Sequence, residues 1–147
     1  MRFVDTYVLH AGSDASTDGL GVLTLRRASG GRCPGSWETV HGTIEAGETP
    51  VQASMRELRE ETGFTPVRLY NVSRVEAFYE HRTDEIALIP VFAAFVSERR
   101  PPQLSHEHDQ AAWLPPAEAS RGSRGRVNGA RSRISFRCLA RGWGLAG

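Results

Sequence analysis

The chain has 147 residues, 39% apolar and 24% charged, with a net charge of +1; that length suits one domain with its own core, the charge names no polyanionic or membrane partner, and no apolar run approaches the ~18 residues of a membrane span. Cys33 and Cys138, with no Cys-x-x-Cys, exclude a disulfide scaffold, and the start, with Arg2, Asp5 and His10, lacks a secretory leader's apolar run, so a cytoplasmic location is expected. All 18 basic residues are arginine, which excludes Schiff-base and phosphate-loop lysines and leaves guanidinium forks as the strong anion binders.

Phe3 to His10, rich in Val, Tyr and Leu, predicts a first strand. Gly12 to Gly19 is turn chemistry, and Leu20 to Arg27 predicts a second strand with Leu23 and Leu25 on one face, Thr24 and Arg26 on the other. Gly30 to Ser36 is a loop, and Trp37 to Ile44 an extended piece. A helix then runs from Pro50 to Thr62. Thr49 is its N-cap, Gln52 completes a capping box and Gly63 stops it. Val51, Met55, Leu58 and Thr62 are expected to face the core. Val67 to Tyr79 and Ile86 to Val96 predict two longer strands turning at Asp84. Ala111 to Leu114 reads as a further strand and Ala117 to Ser120 as a short helix. Ser120 to Ser135 is rich in Arg, Gly and Ser and is expected to be a mobile loop, with a last helix around Ile134 to Arg141. The whole predicts one α+β domain, 1–147, with helices against a mixed sheet.

Glu57, Glu60 and Glu61 lie three and four residues apart, so their carboxylates are neighbours on the predicted helix and repel. A solvated charged face is the plainer account of such a run alone. Arg56 reaches Glu60 but cannot neutralise three carboxylates, and the natural complement is a hard divalent cation, Mg²⁺ or Mn²⁺.

Upstream stands Gly42, then five residues, then Glu48, then seven residues, then Arg56-Glu57-Leu58-Arg59-Glu60-Glu61-Thr62-Gly63-Phe64. This run, Gly42 to Phe64, resembles the Nudix box, Gly-x5-Glu-x7-Arg-Glu-U-x-Glu-Glu-x-Gly-U with U apolar, and departs from it at no fixed position. An accidental match at seven fixed positions has odds on the order of one in 10⁹ at ordinary residue usage. The resemblance implies the Nudix α/β/α sandwich, a loop-helix-loop metal site and hydrolysis of a nucleoside diphosphate linked to another group. Carried over position by position, Glu57, Glu60, Glu61 and the Gly42 carbonyl would hold Mg²⁺, Arg56 and Glu48 would brace the helix against its loop, and Gly63 would end the helix sharply. A glutamate takes the proton of the attacking water. It lies in the box helix, as Glu57 or Glu60 would, or in the loop before Trp113, where Glu107 is favoured over Asp109.

Arg26 and Arg27 end the second strand and are expected to grip phosphate, Arg26 being favoured. A separate metal site at His106 and His108 is a weaker reading than a polar loop. Trp37-x-x-Val40-x-Gly42-x-Ile44-Glu45-x-Gly47-Glu48-Thr49 is similar to the dihydroneopterin triphosphate branch, while Tyr79 is loosely similar to a mark of diadenosine polyphosphate hydrolases. The expected partner is a nucleotide-like small molecule. A non-catalytic nucleotide-binding module and an RNA 5′-end enzyme using the arginine-rich segment are the rivals. That segment has no aromatic platform, which disfavours nucleic acid. A homodimer is left open.

Overall fold

The computed structural model describes residues 1–12, 19–31, 33–80 and 83–122. Most of the Gly12 to Gly19 turn, the 123–133 part of the arginine-rich segment and the last predicted helix lie outside them.

Among the described residues seven strands form one mixed sheet: β1 (Phe3–Ala11), β2 (Leu20–Arg27), β3 (Trp37–Glu38), β4 (Val40–Thr43), β5 (Arg68–Glu80), β6 (Glu85–Phe95) and β7 (His108–Leu114). Helix α1 (Pro50–Thr62) follows β4, and α2 (Pro116–Gly122) follows β7. The strand path is β3-β2-β1-β6-β5, with β4 on β1 and β7 on β2. β1 runs parallel to β6 along one edge. Its other edge is shared: Phe3 to Thr6 pair with β4, and Val8 to Ala11 with β2. β2 and β4 therefore part company near Tyr7.

α1 covers one face. Leu58 and Phe64 pack there with Val8, Leu23, Leu25, Val40, Ala94 and Val96, and Ala53 with Val4 and Phe92. On the other face Ala119 of α2 meets Tyr7, Leu9, Val22, Val91 and Ala93. This is a helix–sheet–helix sandwich, the expected fold class. Because both faces are covered, Val22 and Thr24 are buried as well as Leu23 and Leu25, so β2 is a central strand and has no solvent face there.

The helix carries the expected signals. Thr49 Oγ1 accepts from the Gln52 N–H, the Gln52 side chain accepts from the Thr49 N–H, and Gly63 closes the helix at φ 68°. Its buried stripe differs from the expectation. Val51 and Met55 are 47% and 37% exposed, and the sheet side carries Ala53, Ser54, Leu58, Glu61 and Thr62. Small side chains let the helix approach β1 closely, and the Thr6 and Ser54 hydroxyls bond across the interface at 2.7 Å. A stripe half made of polar residues escapes a search for apolar spacing.

Candidate active site

The site is built from the end of β4, the loop after it and α1. Arg56 donates from Nε to Glu48 Oε1 at 3.0 Å and from Nη2 to Glu48 Oε2 at 2.9 Å. A planar fork on a carboxylate fixes both partners. Arg56 Nη2 also donates to the Thr43 carbonyl at 2.8 Å, and the Glu45 N–H donates to Glu48 at 3.1 Å, so one guanidinium ties loop to helix. Glu48 holds its proton less tightly than an ordinary carboxylate, first because of the bond from Arg56.

Glu57 lies flat against β4. Its Oε1 accepts from the Thr43 N–H at 3.0 Å, and its carboxyl fills the space that a side chain at residue 42 would need. Gly42 is thus required by the close approach of Glu57. Glu60 is 58% exposed on its side chain and pairs with Arg56 Nη1 at 3.1 Å, which also meets Glu57 at 2.9 Å. Glu61 is 4% exposed, and its Oε2 has no hydrogen-bond partner among the described residues. Burial pushes its pKa up to about 9, helped by the charges of Glu57, Glu38 and Glu107.

A buried carboxylate oxygen without a donor, close to other carboxylates, is relieved by a proton, as the raised pKa records, or by a hard cation. The Glu57, Glu60 and Glu61 carboxylates are hard oxygen donors of the kind Mg²⁺ or Mn²⁺ prefers, and the Gly42 carbonyl is the further ligand that the box resemblance implies. No three His, Cys, Asp or Glu side chains among the described residues are gathered into a finished cage; Arg56 draws both Glu57 and Glu60 toward itself.

A cleft opens beside this corner, lined by Phe3, Arg27, His41, Gly42, Glu57 and Glu107. Of the two arginines that end β2, Arg27 lines it. Arg26 turns the other way and forms a two-pronged pair with Asp109, at 2.7 and 2.9 Å. The expectation for Arg26 fails because the cleft lies on the Leu23 and Leu25 face, the one α1 covers, and strand alternation puts Arg27 on that face; the register shift between Arg26 and Arg27 leaves the extra residue, Asp109, on β7. Glu107 faces Arg27 Nη1 at 3.6 Å, and its carbonyl accepts from the Ala28 N–H at 2.8 Å. Of the two loop carboxylates, Glu107 therefore shares the cleft with Glu57 of the helix, while Asp109 is engaged by Arg26. His106 is exposed, whereas His108 is buried with Nε2 3.1 Å from Glu38, so the two imidazoles do not converge. Tyr79 stands on the β5–β6 hairpin and donates to Asp84 at 2.8 Å.

Sequence reading missed Asp5, Glu38 and His41, and weighed His108 only as a metal ligand with His106. The Asp5 carboxylate meets His41 Nδ1 at 2.6 Å, and Phe3 stacks on the His41 ring at 5.4 Å between centroids. Burial disfavours charge on His41, but the bond to Asp5 and the charges of Asp5 and Glu38 together offset it and raise the pKa. These contacts join strands far apart in the chain. The one local signal is that His41 precedes the box glycine and therefore has to lie beside it.

A family model described as the NUDIX domain matches residues 8–135. The chain belongs to this family and is a Nudix hydrolase. It is 32% identical over 108 residues to the nucleoside triphosphatase NudI of Salmonella newport, across 69% of this chain and 77% of that protein. It is also 37% identical over 95 residues to a Myxococcus xanthus protein named octanoyltransferase; the match covers 65% of this chain but 21% of that protein's length. The structure superposes on E. coli dihydroneopterin triphosphate pyrophosphohydrolase with a TM-score of 0.65 and 26% identity, over 82% of this chain and 86% of the other.

Proposed function

We propose that this chain hydrolyses a phosphoanhydride bond of a nucleoside or pterin triphosphate-like substrate, with Mg²⁺ as cofactor and Mn²⁺ as a substitute. The observation that carries this reading is the buried, donorless Glu61 carboxylate beside Glu57 and Gly42. Glu57, Glu60, Glu61 and the Gly42 carbonyl would hold the cation. Bound there, it supplies charge screening for the polyphosphate and acidity for a nearby water.

The chain's own groups do the rest. Arg27 faces the cleft and offers charge to a phosphate oxygen. Glu107, in the same cleft and partly exposed, accepts the proton as the water oxygen bonds to phosphorus and the bridging P–O bond breaks. Arg56 and Glu48 keep the helix glutamates in register with Gly42. The relatives named as a nucleoside triphosphatase and as a pyrophosphohydrolase of a pterin triphosphate support this substrate class.

The test is a hydrolysis screen with Mg²⁺ across nucleoside triphosphates, a pterin triphosphate, nucleotide sugars and dinucleoside polyphosphates. Release of phosphate or pyrophosphate that needs Mg²⁺ and falls about 10³-fold in Glu60→Gln is expected, the scale of a lost metal contact of several kcal/mol. No metal-dependent release from any substrate overturns the reading. A nucleotide-binding module would instead bind nucleotide without turnover.

A further inference from the structure

Arg27 raises a problem of charge. It lines the same cleft as Glu57 and Glu107, and it lies close enough to Glu61 for each to affect the other's ionisation. A guanidinium cannot shed its proton. Left free beside a carboxylate cluster, it competes with a divalent cation for the same oxygens.

The structure holds it back. Glu38 Oε1 accepts from Arg27 Nε at 2.6 Å, while Arg27 Nη1 faces Glu107 Oε2 at 3.6 Å. Glu38 stands on β3, whose backbone pairs with β2 at Leu25, so its carboxyl is fixed relative to Arg27. The same Oε1 receives His108 Nε2 at 3.1 Å. The His108 side chain is wholly buried and its Nδ1 has no partner among the described residues, so the ring's hydrogen bonding is directed at Glu38. The chain closes the loop: His108 follows Glu107, and Ala28, next to Arg27, donates to the Glu107 carbonyl.

We propose that Glu38, seated on buried His108, is a positioning residue that draws Arg27 away from the helix glutamates and sets its guanidinium opposite Glu107. It touches neither the cation nor the substrate. It keeps the oxygens of Glu57 and Glu61 open to the cation and keeps Glu107 turned into the cleft. The role rests on the hydrolase reading only for its effect on turnover; its effect on cation binding does not.

The experiment is a double-mutant cycle with Mn²⁺ alone as the first probe, followed by calorimetry or by the electron paramagnetic resonance of free Mn²⁺. Glu38→Gln, which keeps size, is expected to weaken Mn²⁺ binding about 10- to 100-fold, the scale of lost outer-shell partners. In an Arg27→Ala background the same change should cost less than 2-fold. Equal losses in both backgrounds would mean that Glu38 acts as a distant charge, and that overturns the proposal. With a hydrolysed triphosphate as second probe, Glu38→Gln should lower kcat with little change in KM, and cost nothing further in Glu107→Gln; additive losses overturn the Glu107 part. His108→Gln, which keeps an N–H donor, should recover most of what His108→Phe loses. If Glu38→Gln melts below the assay temperature, the two His108 variants carry the test, and equal Mn²⁺ affinity in both overturns it. Absence of turnover in the parent protein defeats the hydrolase reading and leaves the Mn²⁺ cycle intact.

Discussion

Gly42 and Glu61 show how much of the site is decided by single side chains. A methyl group at residue 42 meets the Glu57 carboxyl, so Gly42→Ala must push that carboxylate out of its corner. Mn²⁺ affinity should fall at least ~10-fold while far-ultraviolet circular dichroism stays native, since outer contacts of ligands alone are worth that much. Glu61 adds a pH dependence. Its pKa in the folded protein is about 9, far above the 4.5 of an unperturbed carboxyl. The unfolded chain loses this proton near 4.5 while the fold retains it, so the cation-free protein loses stability as pH rises from that value toward 9. Glu61→Gln should flatten this slope, and melting curves at pH 5, 7 and 9 without divalent ions measure it. The residues of the box were legible because they lie in one continuous run, where spacing along a helix translates directly into neighbourhood. Glu38 and His108 were not, because they come from β3 and β7 and meet only through the sheet.

At the level of the element, α1 was legible to the residue, because capping chemistry is local: Thr49, Pro50, Gln52 and Gly63 each act within one turn. Thr49→Ala should therefore cost about 1 kcal/mol of stability, read by urea denaturation. Which side of the helix is buried was not legible, since close packing on β1 selects the small Ala53 and Ser54 over the larger Val51 and Met55. The difference is measurable. Met55→Gln should shift stability by less than ~0.5 kcal/mol, whereas Leu58→Ala, at a fully buried site, should cost about 2–5 kcal/mol. The strands were placed within a few residues, except that the extended piece Trp37 to Ile44 is two strands, β3 on β2 and β4 on β1, and that β7 starts at His108 and not Ala111 because its first part is polar: Gln110 and His108 pair with Arg26 and Arg27 at the rim.

Across the whole molecule, the sandwich places the box helix on one face and α2 on the other, with the divergence of β4 from β2 beside the cleft. No described helix is long and apolar enough to cross a membrane. Pairing of strands was beyond sequence patterning, because alternation says which side chains share a face but not which strand lies beside which. Since the proposed cation binds only the folded site, it should stabilise the fold, by about 2.7 kcal/mol at a concentration 100 times its Kd. Calorimetric melting with and without Mg²⁺ should show that gain in the parent protein and little of it in a Glu57→Gln, Glu60→Gln double variant.

The register irregularity between Arg26 and Arg27 gives the rim of this sheet an unequal tolerance to insertions and deletions. Removing one residue from β2 ahead of it would invert every side chain upstream or swap the two guanidinium groups, sending the outward-facing cation into the catalytic space and its neighbour toward Asp109. The described residues of the connection from Ala28 to Ser36 belong to no strand and are tied by turn bonds near its two ends. Length variation among related chains should therefore gather in that connection and spare the strand before it.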